Sequence, residues 1–204
     1  MIEQVDEEDA EPPEPYDYKE DKILYEKSKD AFEEAKEVII YNQGTENPEY
    51  LNVQNNLAEL NLDNSKLRES YEVCQESAKK EIMKIHSEGA KCLTIIAKVH
   101  LAKGELKNAF EQIDMACRIL RDCLVKLETT SYNEIFENHP YYLDIHLHRI
   151  KIYNRQLRTD MALKELEHLK RIVKIKCEHS HSENEMAAVY EEEAQSLVCQ
   201  GSTD

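Results

Sequence analysis

The amino-acid sequence predicts an all-α fold of stacked antiparallel helix hairpins, and three observations carry that prediction. First, only 4 Gly and 5 Pro occur among 204 residues, 33% of residues are charged, and Glu, Lys, Leu and Ala outnumber Val, Thr and Phe, a helix-forming composition. Second, residues 90–123 read as two amphipathic helices joined at Gly104. Leu93, Ile96, Ala97 and His100 recur at three- and four-residue spacing before the glycine, and Leu106, Ala109, Ile113, Ala116, Cys117 and Leu120 recur after it, so each helix has one apolar face. Ala97 and Ala109 are small where two antiparallel helices would touch, and Gly104 suits the left-handed backbone that ends the first helix. Third, the pattern repeats. Moving 39 residues back from Ala97, Leu106, Ala109, Phe110 and Ile113 lands on Ala58, Leu67, Ser70, Tyr71 and Cys74, and a further 39 turns the last three into Ala31, Phe32 and Ala35.

In chain order, residues 1–21 hold ten Asp or Glu and one Lys, which predicts an acidic, disordered tail. From Lys22 an apolar face of Ile23, Leu24, Ala31, Phe32, Ala35, Val38 and Ile39 predicts a helix that stops near Gly44. Hairpins then follow, with first helices at 49–62, 88–103 and 141–155 and a last helix at 184–199. The step from Ala109 to Ala162 is 53 residues, 14 more than the earlier step, which places an insertion around residues 124–140. Arg149 and Leu157 stand where Ile96 and Gly104 stand in the preceding copy. The helical repeat region is expected to span 22–199, with residues 200–204 disordered. The first helix reads as the second half of a hairpin and the last as the first half of another, so docking through these half-repeats is an expected route to oligomers.

The large–small–aromatic pattern around a turn glycine, followed by two alanines, resembles the tetratricopeptide repeat, a unit of roughly 34 residues. The segment from Gly44 to Leu60 resembles the opening of kinesin-light-chain-type repeats. Pro48, Asn55, Asn56, Leu57 and Ala58 match in place, whereas Asn47 replaces a His; NHPYYL at 138–143 is a second echo. The resemblance implies a right-handed superhelix, an α-solenoid whose concave groove is lined by the first helices. It also implies a non-enzymatic adaptor or scaffold that binds a protein or peptide segment with acidic residues, in the cytoplasm, at the cytoskeleton, or in transport or cilium assembly. A structural subunit without a groove function is the alternative.

The exposed offsets of those first helices are Asn52, Asn55 and Glu59, then Lys91, Thr94 and Lys98, then Asp144, Lys151 and Arg155. They predict a local basic stripe inside an acidic protein, suited to peptide backbone and carboxylates. Glu59 and Ile95 stand where a chaperone-tail clamp needs Asn, so that ligand is not expected. A formal net charge of −16 argues against nucleic acid and anionic lipid as partners. No apolar run is long enough to span a bilayer, and the acidic N-terminus is unlike a signal peptide. The six Cys lack a CxxC and read as reduced thiols. Cys177, His179 and His181, with His146 and His148, form the densest ligand-like cluster and read as a polar loop rather than a zinc site. No nucleophile, P-loop or zinc-protease motif is present, so neither enzyme activity nor a cofactor is expected.

Overall fold

A computed structural model describes residues 18–125, 139–179 and 183–201. The expected acidic tail up to residue 17, the insertion at 126–138, the His181 loop and residues 202–204 lie outside them. Eight α-helices occur among the described residues: α1 (Tyr18–Gln43), α2 (Pro48–Asp63), α3 (Leu67–Ala78), α4 (Ser87–Ala102), α5 (Leu106–Val125), α6 (Pro140–Arg155), α7 (Thr159–His179) and α8 (Glu183–Gly201). Three hairpins, α2–α3, α4–α5 and α6–α7, are therefore flanked by single helices, and the terminal helices run slightly beyond the predicted 22–199. No described helix is long and apolar enough to cross a membrane.

The first helix of every hairpin starts from the same kind of cap. Asn47 Oδ1 accepts from the Glu49 amide at 2.7 Å, His86 Nδ1 from Glu88 at 3.2 Å and His139 Nδ1 from Tyr141 at 3.2 Å. An imidazole nitrogen thus does what an asparagine oxygen does for an orphan amide of the first turn, which is why Asn and His interchange here. The hairpin turns also share one device. Ser65 (φ 58°), Gly104 (φ 77°) and Leu157 (φ 56°) are all left-handed. The following amides of Lys66, Glu105 and Arg158 reach back to the carbonyls of Asn61, His100 and Tyr153 at 2.8–2.9 Å, the long bond of a Schellman motif.

Apolar burial holds each pair together. In α4–α5, Leu93, Ile96, Ala97, Ala109, Ile113, Ala116 and Leu120 are all buried, and each large aliphatic side chain contributes about 1.5–3 kcal/mol. Ala97 and Ala109 both lie in this seam, as their size predicts. Cys74, Cys92 and Cys117 are buried free thiols.

Between hairpins, α2, α4, α6 and α8 pack successively on one another, while α3, α5 and α7 pack chiefly onto these inner helices. A stack held more closely along one side curves toward that side, so the inner helices line the concave face. One glycine is required by this stacking rather than by a turn. A Cβ on Gly89 would lie 1.8 Å from the Met83 carbonyl oxygen, because the 3₁₀ turn Glu81–Lys84 crosses the start of α4.

Candidate functional site: the concave face

The concave face is a ladder of ion pairs crossing from one inner helix to the next. Glu59 of α2 lies 3.0 Å from Lys91 and 3.6 Å from Lys98 of α4, and Lys91 also donates to Asn56 Oδ1 at 2.9 Å. Lys98 continues to Asp144 of α6 at 3.0 Å, Asp144 lies 3.1 Å from His148, and Lys151 of α6 meets Glu192 of α8 at 3.3 Å. Burial raises the Asp144 pKa, but the His148 hydrogen bond and charge, with the nearby Lys98 ammonium, outweigh it and hold the carboxyl well below the usual carboxylate range.

This arrangement revises the basic stripe. Lys91 and Lys98 do face the groove, but each is engaged by carboxylates of neighbouring helices, so the face alternates in sign. Asn55 and Thr94, expected to face a ligand, are buried. They occupy equivalent positions 39 residues apart, where one inner helix rests on the next. Thr94 Oγ1 donates to the Ala90 carbonyl at 2.8 Å. Asn55 Nδ2 donates to both the carbonyl and Oε2 of Glu88, each at 2.9 Å. Glu88, itself buried, also accepts from the Tyr141 hydroxyl, so one carboxylate ties α2, α4 and α6 together. Burial first of all, and then this contact with Glu88, push the Tyr141 phenol well above its ordinary range.

The remaining predicted residues stay accessible. Asn52 is exposed and accepts from Asn56 at 3.0 Å. Lys151 keeps 41% of its side-chain surface, and Arg155 is exposed while its Nη1 donates to the Leu101 carbonyl at 3.0 Å. The inner face therefore brings together Asn52, Glu59, Lys91, Lys98, Asp144, Lys151 and Arg155, and removes Asn55 and Thr94. Sequence reasoning missed Glu88, Tyr141, Glu192, Asn154 and Gln195, and gave Asn56 and His148 other roles, the one as a match to the repeat opening and the other as part of the His/Cys cluster. Among the missed residues only Tyr141 carried a signal, through the NHPYYL segment.

His146 and His148 do not converge. His146 pairs with Glu165 between α6 and α7, whereas His148 serves Asp144, and no group of three metal-ligating side chains occurs among the described residues.

No protein-family model matches the chain, and no curated protein sequence matches it. Solved structures do. A crystal structure of a candidate kinesin light chain from Podosopora anserina, with nearly identical TPR-like repeats, covers 90% of this chain and 90% of its own length at TM-score 0.53 and 16% identity. A point-substituted form of that protein covers 89% of this chain and 84% of its own length at TM-score 0.55 and 17% identity. At such identities the likeness is one of fold, and the fold of this chain is the right-handed α-solenoid of a TPR-like repeat protein.

Proposed function

We propose that this chain is a non-catalytic interaction scaffold that holds an extended segment of a partner protein along its concave face. The observation that carries the reading is the ladder from Glu59 to Glu192: it ties the inner helices into one polar surface while leaving Asn52, Lys151 and Arg155 accessible to a ligand. A preformed surface of this kind binds an extended chain at little reorganisation cost. Acidic partner segments suit it because the accessible cations lie at its α6–α8 end. Intracellular transport and cilium or cytoskeletal assembly are the settings that the kinesin-light-chain resemblance suggests. The test places a photo-crosslinking amino acid at Asn52 or Gln195 on the concave side, and at Lys107 or Arg118 on the outer side, of the full chain in cell extract. Specific protein adducts at the concave positions alone support the scaffold; adducts confined to the outer positions overturn it.

Exposed apolar residues on the outermost helices favour a second reading, a structural subunit. α1 exposes Ile23, Leu24, Val38 and Tyr41, and α8 exposes Tyr190, Leu197 and Val198. Pairing α8 of one copy with α1 of the next would assemble a hairpin across two chains. Light scattering that finds only monomer at every accessible concentration removes this reading.

A further inference from the structure

The two outermost helices expose complementary halves of one seam. In α4, Cys92, Ile95 and Val99 are buried, the Cys92 thiol lying 3.6 Å from the Cys74 carbonyl of the preceding hairpin. Their counterparts 97 residues later in α8, Val189, Glu192 and Ser196, are buried as well. The other stripe of α4 is Ala90, Leu93, Ala97 and Leu101, also buried; Leu93 and Ala97 lie in the seam with α5, and residues spaced in this way share one helix face. Its counterparts in α8 are Ala187, Tyr190, Ala194 and Val198, all exposed, Tyr190 to 55% and Val198 to 70%. α8 thus packs backward like any inner helix and leaves bare the stripe that an inner helix turns toward its hairpin partner.

α1 shows the converse. Ala109, Ile113, Ala116 and Leu120 form the stripe that α5 turns toward α4, and each is 0% exposed. In α1, 78 residues earlier, the same positions hold Ala31, Ala35, Val38 and Asn42. Ala31 and Asn42 are exposed, Val38 is 59% exposed and Ala35 is only half-buried. The concave ladder agrees with this reading. Its rungs join Glu59 to Lys91 and Lys98 to Asp144; the counterpart of Lys98 in α8 is Gln195, and the counterpart of Lys91 in α2 is Asn52, both exposed. Two carboxamides can exchange hydrogen bonds where the internal rungs exchange charge.

We propose that the two stripes are halves of an intermolecular hairpin, in which α8 of one copy packs antiparallel on α1 of the next with Ala194 on Ala31, as Ala97 lies by Ala109. The inference rests on the structural-subunit reading above and gives that subunit its joint. In this register Tyr190 stands opposite Ala35, and Val38 opposite Ala187, so large residues meet small ones as close helix packing requires. Gln195 comes beside Asn52 and carries the ladder from copy to copy. A joint of this kind is a core cut in half, held by apolar burial. Because it joins unlike faces, copies add in one direction and extend the solenoid.

The test is light scattering on the full chain and on Ala31→Glu and Ala194→Glu, with far-UV circular dichroism to confirm unchanged helix content. Both sites are exposed, so neither change disturbs the packing of the single copy. Wild type should gain mass with concentration, one chain at a time and without a plateau. Each variant alone should remain monomeric, because each lacks one half of the joint. A one-to-one mixture should give a dimer and nothing larger, since the Ala31→Glu chain keeps its α8 stripe and the Ala194→Glu chain keeps its α1 stripe. Lys107→Glu, on the outer side, should associate like wild type. Association of either variant alone overturns the joint and leaves the structural subunit standing, as does a mixture that stays monomeric while wild type associates. A wild type that is monomeric at every accessible concentration leaves the stripes to a different protein and overturns the joint and the subunit reading together.

Discussion

The second and third hairpins share one backbone plan and solve it with opposite chemistry. In α4–α5 the facing positions are Leu93, Ile96, Ala97, Ala109 and Ile113, all buried and apolar. The residues 53 later in α6–α7 are His146, Arg149, Ile150, Ala162 and Leu166, with Glu165 where the earlier hairpin has Gln112. Arg149 Nε donates to Glu165 Oε1 at 2.7 Å, His146 Nδ1 lies against the same oxygen, and Glu165 retains only 12% of its side-chain exposure. Burial raises the Glu165 pKa, but the His146 bond and the Arg149 charge and bond bring it below the ordinary carboxylate value. A TPR-like seam therefore tolerates charge when each charge is answered within the seam, because the cost of burial then falls on the pair rather than on one ion.

Breaking the answer should have the largest effect. Glu165→Ala leaves a mostly buried guanidinium beside an imidazole, and we expect a loss of about 3 kcal/mol in urea unfolding, whereas Gln112→Ala at the equivalent place should stay within about 0.5 kcal/mol. The double change Arg149→Ile with Glu165→Gln, which copies the second hairpin, should recover most of that loss. A double variant as unstable as Glu165→Ala would mean that the ionic seam is not exchangeable for the apolar one.

What the two hairpins share is tested next. Ala109 and Ala162 are equivalent and fully buried, so Ala109→Leu and Ala162→Leu should each overpack a helix contact at a cost of about 1–3 kcal/mol. An unchanged melting temperature in either variant would show that the seam has been placed on the wrong face.

This shared plan was legible in the sequence, because apolar spacing, two alanines and a turn residue are local signals. The Asn47 cap was legible as a mismatch, Asn for His, whose reason emerges only when both side chains are seen to accept from the same amide. The groove was read less well. One packed face per inner helix would leave Asn55 and Thr94 in the groove, yet α4 is packed by α2 and by α6 as well as by its own α5. Asn55 bonds to Glu88, 33 residues on, and Glu88 in turn to Tyr141, 53 residues further. The basic stripe dissolved for the same reason, since Glu59 and Asp144 sit on neighbouring helices. Nothing in the local sequence marks Gly89, because it is the 3₁₀ segment crossing α4 that leaves no room for a side chain there.

Acid should separate the hairpins again, at smaller amplitude. Burial, reinforced by the Arg149 charge and opposed by the Glu165 bond, holds His146 below the ordinary histidine value. Burial does the same to His139, whose Nδ1 must stay unprotonated to cap α6. Both folded pKa values lie below the unfolded one, so the folded state binds fewer protons; their stability is fully present above about pH 6.5 and is lost as pH falls below it, by at most about 1.4 kcal/mol per pH unit for each group. Hydrogen exchange should show α6 losing more protection than α4 between pH 7 and pH 5.5. Equal losses in the two helices would remove this difference.

The smallest change concerns the turns, where the two hairpins place different residues in one backbone state. Gly104 takes φ 77° at no steric cost, whereas Leu157 takes φ 56°, a region in which a Cβ crowds the following carbonyl by roughly 1–2 kcal/mol. The Leu157 side chain recovers little of this, being 64% exposed, and the Arg158 amide bonds to Tyr153 just as Glu105 bonds to His100. Leucine therefore persists at a position that favours glycine. Leu157→Gly should stabilise the chain by about 0.5–1 kcal/mol, the relief of strain less the greater entropy that glycine adds to the unfolded chain. Gly104→Ala should destabilise by a similar amount. A loss on Leu157→Gly would show that Leu157 contributes contacts that its exposure does not reveal, and that the third turn is held by its side chain rather than by its backbone.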